Sequence, residues 1–184
     1  MLILALIGGL FLLSYSSVYA QELSSESAGL NPTQKVEYTL PYPGILPDNP
    51  LYPLKAFRDR MVSMLIADPV KKALFNLLQA DKRLQSAVYL LYHSDEKHIQ
   101  LAETTISKGE NYFEEAVSQI ETARSRGRDV KAELRELSIA AKKHEEVIRE
   151  LQEQVPSSEK QTFANLLQRI VRIQSLIETV QKTK

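Results

Sequence analysis

The chain has 184 residues, in which 23 Lys plus Arg are balanced by 23 Asp plus Glu, and it contains neither cysteine nor tryptophan. Without cysteine there is no disulfide, thiolate metal site or cysteine nucleophile, so packing alone must hold the fold. A formal charge of zero argues against nucleic acid as a partner, because phosphate neutralisation calls for a basic excess.

Met1 to Ala20 carries no charged side chain, holds an apolar run from Leu2 to Leu13, and ends Val18-Tyr19-Ala20. That is the layout of a secretory signal peptide, with Gln21 opening the mature chain. The continuous apolar part is about twelve residues, against the roughly twenty that a helix needs to span a bilayer. Residues 1–20 are therefore read as a signal peptide and the working location as extracytoplasmic: secreted, periplasmic or in the cell envelope. No Lys or Arg precedes the apolar core, which leaves an uncleaved N-terminal tether as the alternative.

Residues 21–52 read as a lead and an arm. Gln21 to Gly29 is polar and Ser/Glu-rich, the composition of a disordered tether. Asn31 to Pro53 holds six of the eight prolines (Pro32, Pro41, Pro43, Pro47, Pro50, Pro53) together with Tyr38, Tyr42 and Tyr52. So many fixed φ angles forbid a regular helix and favour extended backbone. Leu40, Ile45, Leu46 and Leu51 make the stretch too apolar for a bare linker. It is expected to pack along a helical body, with display to a partner as the alternative.

Residues 53–184 read as helix throughout. A short first segment from about Pro53 to Ile66 carries Leu54, Phe57, Met61 and Met64 at steps of three and four. Asp68 with Pro69 is a strong start signal for the second, which runs to about His93 on a seam of Ala73, Leu77, Ala80, Leu84, Ala87 and Leu91. Ser94 or Asp95 opens the third, with Ile99, Ala102, Ile106, Gly109, Phe113, Ala116, Ile120 and Ala123 in unbroken phase across Gly109. Arg126-Gly127-Arg128-Asp129 supplies a stop and a new cap. The fourth helix bears Val130, Leu134, Leu137, Ala141, His144, Ile148, Leu151 and Val155, and Pro156 ends it. Ser158 with Gln161 suggests a capping box for the fifth, which carries Phe163, Leu166, Ile170, Ile173, Ile177 and Val180. Four long amphipathic helices on short connections predict an all-α fold: an up-and-down antiparallel bundle, preceded by the short helix and the Pro/Tyr-rich arm. Seams of this period also predict left-handed, coiled-coil-like supercoiling.

Pro47-Asp48-Asn49-Pro50-Leu51-Tyr52-Pro53-Leu54-Lys55, followed by Arg58-Asp59-Arg60, Asp68-Pro69-Val70-Lys71-Lys72-Ala73 and Lys82-Arg83-Leu84, forms a distinctive phrase. It resembles a bacterial and archaeal family known only as a domain of unknown function. Members begin with an export signal, continue through Pro-x-x-Pro-Leu-Tyr-x-Leu-Lys and then form several long helices. The resemblance covers about residues 40 to 180 and is best marked to residue 90. Relatives of the domain also follow a membrane segment in some anti-sigma-type regulatory proteins. The resemblance implies an exported helical domain and brings no activity, cofactor or catalytic residue. Physically, Pro50 and Pro53 pre-set the backbone, Leu51 and Leu54 are expected to face the bundle, and Tyr52 and Lys55 to lock the arm. Lys55 is a candidate partner for the Tyr52 hydroxyl or for Asp48.

Candidates for chemistry are few. Asp95-x-x-His98 has the spacing of two ligands on one helical face, but a carboxylate-bridged di-metal bundle needs two Glu-x-x-His pairs and inward glutamates, which the seams lack. His98 and His144 are separated by roughly 15 Å along the bundle axis, too far for one zinc ion. His144 is read as a residue at the core edge. No phosphate loop, nucleophile elbow or isolated carboxylate pair in an apolar setting is present, so no catalytic residue, metal or cofactor is expected and the protein is read as a non-enzyme.

Two surface patches remain. Tyr42, Tyr52 and Lys55 are candidates for contact with an envelope protein. Arg124, Arg126, Arg128 and Lys131 form a basic turn suited to an anionic membrane or wall surface. The functional expectation is a non-catalytic protein-interaction or structural module of the cell envelope. The alternatives are a sensor or regulatory module associated with a membrane or wall surface, and a ligand-binding helical bundle.

Overall fold

The computed structural model describes residues 35–93 and 95–182; the expected signal peptide and the polar lead lie outside them. The described chain is all-α, with α1 at Tyr52–Leu65, α2 at Pro69–Leu91, α3 at Glu96–Ser125, α4 at Lys131–Gln154 and α5 at Lys160–Lys182. Ahead of α1, the arm from Lys35 runs without regular structure.

Local chemistry sets the helix ends. Asp68 Oδ1 accepts the Lys71 amide at 2.9 Å and Pro69 occupies the first turn of α2. Asp95 caps α3 by accepting the His98 amide at 3.0 Å. At the far end of α3, Gly127 adopts φ +77° and its amide reaches the Arg124 carbonyl at 2.8 Å. An L side chain rarely adopts that conformation, which is why glycine ends the helix here. Two expected caps do not form. Val130 occupies the N-cap of α4 without a side-chain bond, while Asp129 Oδ1 accepts the Lys131 amide at 3.2 Å. Gln161 turns forward to Asn165 at 3.2 Å instead of back to Ser158, and α5 begins at Lys160.

The seams of α2, α3, α4 and α5 are buried at every predicted position. Phe113 and Phe163 are fully enclosed, and Leu84, Ile106, Ile120, Leu137, Ile148, Ile170 and Ile173 complete the centre. Burial of each such side chain contributes about 1.5–3 kcal/mol. The helices form two hairpins, α2 with α3 and α4 with α5, stacked so that α4 lies on α2 and α5 on α3. Consecutive α3 and α4 touch little, so their connection crosses the end of the bundle to the diagonal position. α2 and α3 approach tightly at Gly109, where a Cβ would stand 3.2 Å from Arg83 Cβ and 3.3 Å from the Ala80 carbonyl oxygen. Gly109 is thus a contact residue inside a continuous helix.

α1 departs from expectation. Leu54, Phe57, Met61 and Met64 share a face as predicted, but that face is turned outward, and Leu51 is exposed too. The side facing the bundle carries Tyr52, Lys55, Ala56, Asp59, Ser63 and Ile66. At about 100° per residue these positions cluster on one flank, and Leu54, Phe57, Met61, Met64 and Leu65 span an arc of roughly 100° opposite them. Polar anchoring won the inner face. Among the helices of the described residues, α1 contacts α2 alone.

Candidate functional site

The arm is fastened to the bundle by polar contacts at successive points. The Val36 amide donates to Glu146 on α4 at 2.6 Å, and Glu146 is also held by Lys143. Two residues on, the Tyr38 hydroxyl donates to Asp81 Oδ2 at 2.6 Å. Asp81 is 3% exposed, and its other oxygen meets His144 Nε2 at 2.9 Å. His144 stacks on Phe113 with ring centroids 5.0 Å apart. Burial, then the Asp81 carboxylate, pushes the Tyr38 phenol far above its ordinary range, so at neutral pH it stays a donor. His144 therefore lies in the core at 1% exposure, not at its edge, because α2 supplies Asp81 as a partner for its ring nitrogen.

Near α1, Lys55 Nζ donates to the Pro43 carbonyl at 3.0 Å and lies 5.3 Å from the centre of the Tyr52 ring. Partial burial, the dominant cause, lowers its pKa. The Tyr52 hydroxyl accepts from Arg83 Nη1 at 2.6 Å, and the Arg83 guanidinium carbon sits 4.8 Å from the centre of the Tyr112 ring. Tyr52 and Lys55 are thus arm fasteners, through partners other than those expected. Tyr42 is 77% exposed and takes no part.

A second polar cluster closes the α2–α3 corner. His98 Nδ1 meets Asp95 Oδ2 at 2.6 Å, its Nε2 lies 3.9 Å from Asp48 Oδ2 in the arm, and its ring stacks on His93 at 4.5 Å. One ligand atom each from Asp48, His93 and His98 falls within 4.8 Å of the others. Zinc–nitrogen bonds of about 2.0 Å would require ligand separations of roughly 3.3 Å. The 3.9 Å between His98 Nε2 and Asp48 Oδ2 exceeds that separation, and these side chains join the arm to the α2–α3 corner. His93, which a turn, not a helical face, places alongside His98, did not emerge from the sequence, where His98 was weighed against His144 and that pair set aside.

Inward carboxylates, unseen on the seams, are present. Glu110 is fully buried next to Gly109, with neither side-chain oxygen hydrogen-bonded. Arg169 Nη1 is 3.8 Å away, but its guanidinium is committed to Glu114 at 3.0 and 2.8 Å and to the Ser107 carbonyl at 3.2 Å. Desolvation, only partly offset by Arg169, raises the Glu110 carboxyl to about 8.

Two features face outward. One is the apolar side of α1, on which Phe57 is 66% and Leu65 79% exposed. Its exposed charges are Arg58 and Arg60, since Asp59 is turned inward and holds Arg58 at 2.7 Å. The other is a cleft of about 680 Å³ at the end of the bundle, lined by Arg124, Arg128, Lys131, Arg135 and Lys142. Three of the four basic residues expected at this turn line the cleft; Arg126 is exposed and is not among its lining residues. No helix among the described residues is long and apolar enough to cross a membrane.

No curated protein and no solved structure matches the chain. The sequence model of the family described as a domain of unknown function (DUF5667) matches residues 44–158, from the arm through α4. That match spans well over half of the chain, so the protein belongs to the DUF5667 family.

Proposed function

We propose that the protein is a non-catalytic interaction module of the cell envelope, in which a rigid four-helix bundle and its fastened arm present α1 to a partner protein. The observation that carries this reading is the orientation of α1. Its polar side is spent on the bundle and arm, and its apolar side is open. Leaving Leu54, Phe57, Met61, Met64 and Leu65 in water forgoes about 1.5–3 kcal/mol for each side chain that burial would gain. A contiguous face of this kind marks an interaction surface. The exposed charge on the helix is cationic, which suits a partner offering an apolar groove bordered by carboxylates. The sequence of residues 1–20 supports export, and the enclosure of Asp81, His144 and Glu110 in the core supports a role without catalysis.

The test is a photocrosslinking side chain at Phe57 in producing cells, with the same group at exposed Glu121 on α3 as reference. The expected result is one protein adduct specific to position 57, lost when Arg58 and Arg60 are both changed to Glu. A lipid adduct, an adduct between two copies of the chain, or labelling equal to that at position 121 refutes the assignment.

A further inference from the structure

We infer that the cleft between α4 and the α3–α4 turn is a binding site for a phosphate-bearing polyanion. The chain as a whole is neutral, yet this cleft gathers Arg124, Arg128, Lys131, Arg135 and Lys142 against a single acid, Asp129. Asp129 is already occupied by the Lys131 amide. Arg128 has a counterion in Asp68 at 3.1 Å. Arg124, Lys131, Arg135 and Lys142 have no ion pair among the described residues.

Such an arrangement works against folding. Lys131 and Arg135 stand four residues apart on one helical face, a spacing at which like charges destabilise a helix by about 0.2–0.5 kcal/mol. Lys142 continues the same stripe, so the cations extend roughly 16 Å along α4. The positive end of the α4 dipole adds to the field at Lys131. Arg124, whose side chain helps line the cleft, has its Nη1 buried without a hydrogen-bond partner. A buried guanidinium nitrogen with a free donor is costly unless an acceptor fills the space.

The chemistry of the lining defines the ligand. Guanidinium groups match phosphate oxygens in geometry and charge. Ser138 and Gln181 add neutral polar groups, while Val130, Leu134 and Ile139 provide an apolar wall. A span of about 16 Å exceeds one phosphate and suits two or more in series. The volume falls within the range of small-ligand clefts. Such a ligand has two sources, a free oligophosphate or polymer, and the headgroups of an anionic bilayer. The site is independent of α1, and its failure would leave the α1 reading untouched.

The experiment is calorimetric titration of the full chain with inorganic tripolyphosphate, at low and physiological salt. Wild type is compared with Arg135→Gln/Lys142→Gln and with Lys97→Gln at the opposite end of α3. Circular dichroism melting checks that each variant is folded. The expected result is binding that the double substitution weakens at least tenfold and Lys97→Gln leaves within twofold. If co-sedimentation with phosphatidylglycerol vesicles shows the same dependence, the bilayer is the source. If vesicle association is absent or indifferent to these residues, the free anion is. The inference is overturned if tripolyphosphate does not bind, or if Lys97→Gln weakens binding as much as the double substitution. Should the double variant fail to fold, Arg124→Gln is measured against the same criteria.

Discussion

Glu110 offers a sharp test of how the core is built. Its carboxyl is fully enclosed, its oxygens lack hydrogen-bond partners, and its cation neighbour Arg169 is already engaged by Glu114. The proton therefore stays on up to about pH 8 in the folded protein, against 4.5 for the free side chain. Between those limits the folded state holds a proton that the unfolded state has released, so stability from this group is complete below about pH 4.5 and falls as pH rises to about 8. At about 1.36 kcal/mol per unit, a rise from 4.5 to about 8 corresponds to a loss of roughly 5 kcal/mol, taken as a ceiling. Glu110→Gln keeps the shape and removes the titration. Urea unfolding followed by helical circular dichroism at about pH 5 and about pH 8.5 gives the comparison. The stability of Glu110→Gln relative to wild type should improve by about 3–5 kcal/mol between the two conditions. Glu114, Arg169 and Arg172, the charged groups that act on Glu110, are present in both proteins and largely cancel in the difference. A difference that stays constant within about 0.5 kcal/mol would refute the claim that desolvation governs Glu110.

Other outcomes follow from the same contacts. Tyr38→Phe leaves a buried Asp81 oxygen without its donor, and should cost about 1–3 kcal/mol in urea unfolding while speeding proteolysis within residues 35–45. Gly109→Val forces α2 and α3 apart where only 3.2–3.3 Å is available for the first added carbon; a loss of about 1–3 kcal/mol is expected, and an unchanged melting temperature would show that the helices can part freely. Phe113→Ala should cost about 3–5 kcal/mol. Phe57→Ser, at a residue 66% exposed, should change stability by no more than about 0.5 kcal/mol; comparable losses from these two would place the α1 face inside the fold.

Periodicity made most of this architecture legible. The seams of α2 to α5 were readable because an apolar residue every third or fourth position has one physical solution, burial against similar stripes. The same period at Leu54, Phe57, Met61 and Met64 identified a shared face of α1, yet periodicity carries no information on which neighbour covers a face. The outcome was decided by Lys55 and Tyr52, whose partners Pro43 and Arg83 lie 12 and 31 residues away. Asp81 and Glu110 were illegible for a related reason. Each sits beside a seam residue, Ala80 and Gly109, where a slightly wider buried stripe takes in a carboxylate. Asp129 and Ser158 carried good cap chemistry, but chain direction at the two ends of α4 did not use it as a cap. The basic turn was visible as Arg124, Arg126, Arg128 and Lys131; that Arg135 and Lys142 join the first, third and fourth of these required the cleft.

The arm's fastening also determines how the molecule carries load. Val36 on Glu146 and Tyr38 on Asp81 are the first described links after Lys35, and they join the arm to α4 and α2. Tension applied through the preceding chain reaches these two hydrogen bonds before it reaches any helix. They stand two residues apart along the arm, so a pull from that side meets them ahead of the helices. Tyr52 and Lys55 then act as the second stop, closer to α1. A pull on the arm from its N-terminal side would thus bring strain to α1 only after these contacts have come away.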